Sequence, residues 1–138
     1  MMAKLSERIA PEVEKRLREE LVIWLTTVRA DGTPLPTPVW FVWDGETVLM
    51  YTLPNSVKLH NIAANPRAAL NLNADEWGGE VVVMTGEIRV DREAPPASQH
   101  AVYLEKYRAE ISDLQMSPES FSQAYSVPLR FVPERLRA

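Results

Sequence analysis

The feature that most constrains the fold is a pair of closely spaced Asp-Gly turns. Asp31-Gly32 and Asp44-Gly45 separate short segments rich in β-branched and aromatic residues. Asp-Gly between apolar runs is a strong local signal for a β-hairpin. Parallel strands need a crossover of a dozen or more residues, for which these segments leave no room. Residues 21–52 are therefore predicted to form an antiparallel meander of three strands.

The same reasoning, carried along the chain, predicts six strands with helices between and around them. The last strand carries two prolines, which cannot donate ladder hydrogen bonds, so it is expected to be edge-like. Gly86 is expected to mark a bulge or a close approach of two strands. The predicted strands are 21–30, 33–43, 47–52, 67–73, 80–91 and 124–136. The predicted helices are 10–20, 56–65 and 95–113, with a fourth after Ser117-Pro118.

Composition narrows the class of protein. The 138 residues, 46% of them hydrophobic, suit a single domain over 1–138, of the mainly β or α+β class, with an N-terminal helix in 1–20. A net charge of -4 disfavours binding to nucleic acid or a membrane surface. The chain has no cysteine and only two histidines, so we expect no metal site. The charged N-terminus does not resemble a signal peptide, and a cytoplasmic protein is expected.

Residues 51–73 are the stretch with the most chemistry. Tyr51 and Thr52 end a predicted strand, while Ser56 and Lys58 fall in the first turn of the following helix, with Asn61 one turn further along the same face as Lys58. A helix N-terminus offers unpaired N–H groups and a positive dipole end, which suit a phosphate. The alternative is an ordinary helix with a serine cap and a solvated polar face.

The stretch YTLPNSVKLHNIAANPRAALNLN is similar to the cofactor-binding segment of the pyridoxamine 5'-phosphate oxidase-like superfamily. The likeness extends more weakly over most of the chain. It implies a six-stranded antiparallel split β-barrel of the FMN-binding type with peripheral helices, and a homodimer with the cofactor at its interface. By the same resemblance, Tyr51, Thr52, Ser56 and Lys58 would hold the ribityl-phosphate part of the cofactor.

Two departures from the superfamily's oxidases bear on the cofactor. Val57 stands where those oxidases carry an arginine, and the run 36–42 is uncharged where they carry basic residues. The PTPVWFVWDG and S-x-K-x-x-N-I patterns are closer to the branch that depends on coenzyme F420, a deazaflavin. Its phosphodiester carries less charge than a monoester, so Lys58, Asn61 and helix N–H groups would make an adequate cradle.

The resemblance implies an F420-dependent oxidoreductase that transfers a hydride to a small unsaturated or quinone-like molecule. The cofactor supplies that chemistry, so no catalytic side chain is expected. An FMN-binding oxidase or reductase of the same fold and a non-catalytic cofactor-binding protein are the alternatives. A haem-binding split barrel is a further one, for which His60 would be the axial ligand.

Four more assignments concern the rest of the pocket. By resemblance, Val39 and Trp40 lie against the tricyclic ring, although Trp40 could equally be core packing. Trp77 could cap the pocket or contact the partner chain, and Arg130 could add a cofactor contact or point outward. Basic N-terminal residues could attract the acidic tail of F420 or form a solvated face; they are Lys4, Lys15, Arg16 and Arg18.

Overall fold

The protein folds around one antiparallel sheet. The structure is a computed structural model that describes residues 5–138, apart from the side chain of Ser6, so Lys4 lies outside the described residues. The strands are β1 (Ile23–Val28), β2 (Pro34–Val39), β3 (Val42–Trp43), β4 (Val48–Thr52), β5 (Arg67–Asn71), β6 (Val83–Val90) and β7 (Val127–Arg137). The helices are α1 (Pro11–Glu19), α2 (Val57–Ala64), α3 (Ala101–Asp113) and α4 (Pro118–Ala124), with 3-10 turns at Leu5–Glu7 and Ala97–Gln99.

The described residues form seven strands, and the prediction of six was wrong. The sheet order is β2-β1-β5-β6-β7-β4-β3, and all pairings are antiparallel. The extra strand arises because the predicted strand 33–43 breaks at Trp40 and Phe41, which belong to neither β2 nor β3. Instead of bonding to a neighbouring strand, the backbone N–H of Phe41 donates to the Tyr107 hydroxyl, and its C=O accepts a hydrogen bond from the Lys106 Nζ.

The break also overturns the predicted meander over 21–52. β2 pairs with β1 and β3 pairs with β4, but β2 and β3 lie at opposite ends of the sheet order. The sheet curls, so that its two ends, β2 and β3, are joined by a single short connection in the chain. The break at Trp40 and Phe41 therefore lies where the chain passes from one end of the half-barrel to the other.

The last strand is central and not edge-like as its prolines predicted. β7 pairs with both β6 and β4. Pro133 lies opposite Gly86 at a register shift between Thr85 and Gly86, where strict ladder bonding is already interrupted. A Cβ at Gly86 would lie 2.1 Å from the carbonyl oxygen of Val132. The prediction of a close approach at Gly86 is confirmed.

Both faces of part of the sheet are covered, and two apolar clusters result. One fills the interior of the half-barrel and includes Leu17 of α1, Leu25 and Phe131. The other lies between the outer face and the helices α3 and α4. β4 is buried at every position because its alternate residues enter the two clusters.

Most helices lie near their predicted positions, and α3 and α4 begin at residues whose side chains cap them. α2 and α4 lie near their predicted positions, but the helix predicted over 95–113 begins at Ala101. His100 is its N-cap, and its Nδ1 accepts a hydrogen bond from the N–H of Tyr103 at 3.1 Å. Ser117 and Ser120 form a reciprocal capping box at the start of α4. No helix within 5–138 has the length and apolar character to cross a bilayer.

Candidate functional site

A cleft of about 330 Å³ opens where the end of β4 and the start of α2 meet the β2–β3 break and the helices α3 and α4. Six of the residues predicted to contact a cofactor line it, and they come from two segments that are separate in sequence. They are Val39, Trp40, Tyr51, Thr52, Ser56 and Lys58. Residues 5–138 contain no group of three or more acidic or histidine side chains that could hold a metal ion.

Lys58 supplies the positive charge of the cleft. Its Nζ donates to the Thr52 hydroxyl at 3.3 Å, and that hydroxyl donates to the Ser56 hydroxyl at 3.1 Å. Among the described residues no carboxylate lies within ion-pair distance of the ammonium group. Burial lowers the pKa of Lys58, since no nearby anion offsets the desolvation of the charged form. An anionic group in the cleft would meet an unneutralised, half-buried cation.

Ser56 occupies the N-cap position of α2, but its side chain makes no capping hydrogen bond. The first N–H groups of an α-helix have no intrahelical acceptor, so the start of α2 retains donors next to the Lys58 ammonium. The predicted serine cap is therefore wrong at the side chain, which bonds to Thr52 instead. Hydroxyls, helix N–H groups and one ammonium group lie together at this end of the cleft.

The opposite end of the cleft is aromatic. The Trp40 ring stacks on Tyr107 with ring centroids 4.8 Å apart and on Phe121 at 5.6 Å. Phe121 in turn stacks on Tyr125 at 4.6 Å. Trp40 is half-buried, so it both packs against the helices and lines the cleft. The two interpretations of Trp40 made from the sequence are thus compatible.

Tyr51 fixes the end of β4 against the helical side. Its hydroxyl donates to the Pro95 carbonyl at 2.6 Å, and its ring meets Tyr103 edge-on at 5.0 Å. Burial raises the pKa of Tyr51 to about 12 and that of Tyr103 further. Both phenols therefore stay protonated and neutral across the physiological pH range.

Asn61 does not line the cleft. It is buried on the sheet side of α2, where its Nδ2 donates to the Thr27 hydroxyl at 3.0 Å. The structure gives this residue a role in attaching α2 to β1, so it does not share the cleft with Lys58 as the spacing predicted.

Trp77 and Arg130 also lie outside the cleft of this chain. Trp77 is 87% exposed at the tip of the β5–β6 loop. Arg130 donates to Asp91 at 2.6 Å and to Thr47 at 2.8 Å, so its charge is used to join the ends of β6 and β4. Asp44 lies 3.5 Å from the same guanidinium.

The basic residues of α1 and the two histidines lie away from the cleft. Lys15 pairs with Glu19, Arg16 with Glu20 and Arg18 with Glu14. Arg16 also donates to the carbonyls of Asn73 and Glu80, which fixes the base of the β5–β6 loop. His60 is exposed and does not line the cleft, and the Nδ1 of His100 caps α3.

The side of the cleft formed by α3, α4 and the residues that follow them was not predicted from the sequence. Tyr103 and Phe121 are buried, and Leu114 and Tyr125 complete this side. Tyr103 lies at helical spacing from Tyr107 and Ile111, and these three side chains are the buried residues of α3. That periodicity predicts a buried face but not the strand that the face covers.

Comparisons with known proteins identify the family and the fold. The family model for pyridoxamine 5'-phosphate oxidase matches residues 9–137. No curated protein matches the sequence. A solved structure named F420 reductase is 26% identical, with a TM-score of 0.71, over 94% of this chain and 98% of that chain.

Two more distant structures share the fold at 17% identity. HutZ, the heme storage protein from Vibrio cholerae, has a TM-score of 0.65 over 93% of this chain and 92% of that chain. An FAD-binding protein from Mesorhizobium loti has a TM-score of 0.63 over 91% and 87%. Since the family model spans nearly the whole sequence, the chain belongs to the pyridoxamine 5'-phosphate oxidase family, as the resemblance of residues 51–73 indicated.

Proposed function

We propose that this protein is an oxidoreductase that binds a deazaflavin of the F420 type and uses it for hydride transfer with a small unsaturated or quinone-like molecule. The observation that carries the proposal is the single unneutralised ammonium group of Lys58 at one end of an aromatic-walled cleft. The likeness to a structure named F420 reductase supports the same choice.

The residues present fit a singly charged acidic linker. Lys58 and the first N–H groups of α2 supply positive charge, and the hydroxyls of Thr52 and Ser56 supply further polar contacts. A phosphate monoester carries close to two negative charges at neutral pH, whereas a phosphodiester carries one. A cleft whose lining contains one cation and no other charged residue matches the phosphodiester better.

The rest of the cleft suits a flat, uncharged ring. Trp40 and Val39 offer apolar surface on one side, and Phe121 and Tyr125 extend it. When bound, the deazaflavin would supply the hydride chemistry. The chain's own residues would bind the linker at Lys58, orient the ring against Trp40 and exclude water from the cleft.

A second candidate function keeps the cleft but assigns FMN as the cofactor of an oxidase or reductase. It is favoured by the family match and by the hydroxyl–lysine arrangement, which any phosphate would find acceptable. A non-catalytic cofactor-binding protein is the third. It would bind the deazaflavin but show no turnover of enones or quinones with the reduced cofactor. His60, exposed and away from the cleft, gives the haem alternative no support within the described chain.

The test is a parallel titration of the purified protein with F420 and with FMN. We expect F420 to bind more tightly, and Lys58→Ala to weaken its binding about tenfold, since a charge-assisted contact is lost. The matched control is Arg92→Ala, which removes an exposed positive charge outside the cleft and should leave the affinity unchanged. Micromolar binding of FMN without binding of F420 would overturn the choice of cofactor.

A further inference from the structure

One hydroxyl holds the β2–β3 break in place. The Tyr107 hydroxyl accepts a hydrogen bond from the N–H of Phe41 at 2.8 Å and lies 2.7 Å from the carbonyl of Leu21 and 3.1 Å from that of Phe41. The Phe41 carbonyl also accepts a bond from the Lys106 Nζ at 2.9 Å. Both backbone polar groups of Phe41 therefore depend on two consecutive side chains of α3.

These contacts replace the strand-to-strand hydrogen bonds that the backbone of Phe41 lacks. Phe41 is completely buried, yet it lies outside both β2 and β3. Buried backbone groups need hydrogen-bond partners, and their loss is costly because water does not reach them. Tyr107 and Lys106 supply those partners from a point more than sixty residues along the chain.

The same tyrosine also sets the plane of Trp40. The two rings are nearly parallel, at 5°, with centroids 4.8 Å apart. Lys106 reinforces the arrangement because its ammonium group lies 3.8 Å from the centroid of the Phe41 ring. Backbone and side chain of the break are thus held by one residue through two independent contacts, hydrogen bonding and stacking.

We infer that Tyr107 is a positioning residue of the cleft: by hydrogen bonding the Phe41 peptide and stacking on Trp40, it fixes the apolar surface against which the cofactor ring lies. It does not line the cleft and would not touch the cofactor. The inference rests on the proposed function, because it assigns the Trp40 side of the cleft to the ring. Lys106 acts in the same way through the Phe41 carbonyl.

The experiment compares Tyr107→Phe with the unaltered protein. Phenylalanine keeps the ring that stacks on Trp40 and removes only the hydroxyl. Two ligands are titrated: complete F420, and the deazaflavin ring compound that lacks the phosphodiester. We expect Tyr107→Phe to weaken both by the same factor, about tenfold, since the loss of hydrogen bonds lets the break shift. Lys58→Ala should weaken only the complete cofactor.

The number of binding sites per chain, taken from the same titrations, separates positioning from loss of folded protein. Partial unfolding lowers the number of sites, whereas a displaced surface raises the dissociation constant at full stoichiometry. Lys106→Met, which leaves Tyr107 intact, should produce the same pattern with a smaller factor. Trp43→Phe is the control, because it removes a hydrogen bond to Glu14 from the neighbouring strand, away from the cleft.

Three results overturn the inference. Equal affinities of Tyr107→Phe and the unaltered protein for both ligands would show that the hydroxyl does not position the ring. A reduced number of sites with unchanged dissociation constants would show a purely structural role. If the unaltered protein binds neither ligand, the proposed function fails and this inference fails with it.

Discussion

At the scale of single residues, the two polar side chains of α2 have different roles. Lys58 reaches back over the first turn to Thr52, as helical side chains lean towards the N-terminus. Asn61, three residues later, faces β1 and bonds to Thr27. The spacing alone predicted a shared face, but a short helix packed against a sheet buries one side, and Asn61 lies on it.

Asn61→Ala should therefore destabilise the protein more than it weakens cofactor binding. The change leaves the buried hydroxyl of Thr27 without its partner, which costs about 1–3 kcal/mol. Urea denaturation measures the free energy of unfolding, and a double-mutant cycle with Thr27→Val should recover a coupling between the two residues. Unchanged stability together with a tenfold loss of cofactor affinity would instead make Asn61 a binding residue.

At the scale of elements, the positions of most helices and strands were predicted more reliably than the strand pairings. The strand positions were close for β1, β4, β5 and β6. β7 differed most, because its two prolines predicted an edge while the bulge at Gly86 lets it lie between two neighbours.

Gly86→Ala tests the importance of that bulge. The added methyl group would lie 2.1 Å from the Val132 carbonyl oxygen and 3.0 Å from the Pro133 Cα, so the β6–β7 pairing must shift. We expect the free energy of unfolding to fall by about 3 kcal/mol or more. Urea denaturation measures it, and circular dichroism shows whether the variant folds at all.

Thr85→Ala is the matched control for Gly86→Ala. Thr85 is the exposed neighbour on the same strand, so its change should stay within about 0.5 kcal/mol. A Gly86→Ala variant as stable as the control would mean that the two strands separate at this point without cost.

At the scale of the whole molecule, the cleft is open on one side. It lies beside β2, which is at one end of the sheet order and contains three prolines that cannot donate to a further strand. The β5–β6 loop presents Trp77 to solvent, while the Trp77 N–H donates to Asp75 and Arg16 donates to the Glu80 carbonyl at the base of the loop. An exposed indole of this kind is suited to contact another protein surface.

We therefore propose a homodimer and expect a particle of twice the 15.6 kDa chain mass in sedimentation equilibrium. Trp77→Ala should weaken the self-association while leaving the stability of the chain unchanged, since the side chain makes little contact within it. Val57→Ala, which truncates another exposed apolar residue, serves as the control. A chain that stays monomeric and still binds one cofactor would contradict the proposal.

The sequence by itself determined the local chemistry of this protein. Asp-Gly turns and β-branched runs depend on neighbouring residues only, so they placed the strands and their ends. The segment 51–73 supplied the polar end of the cleft for the same reason, because Tyr51, Thr52, Ser56 and Lys58 lie within one strand–helix connection. The family, too, was recognisable from that segment.

Only the tertiary structure decided which strands pair and what forms the other wall of the cleft. The break at Trp40 and Phe41 depends on hydrogen bonds from Tyr107, which lies far away in sequence. Phe121 and Tyr125 reach the cleft because α4 packs against α3 and the 3-10 turn Ala97–Gln99. Such contacts arise from burial and hydrogen bonding between distant segments, and no local period or turn signal encodes them.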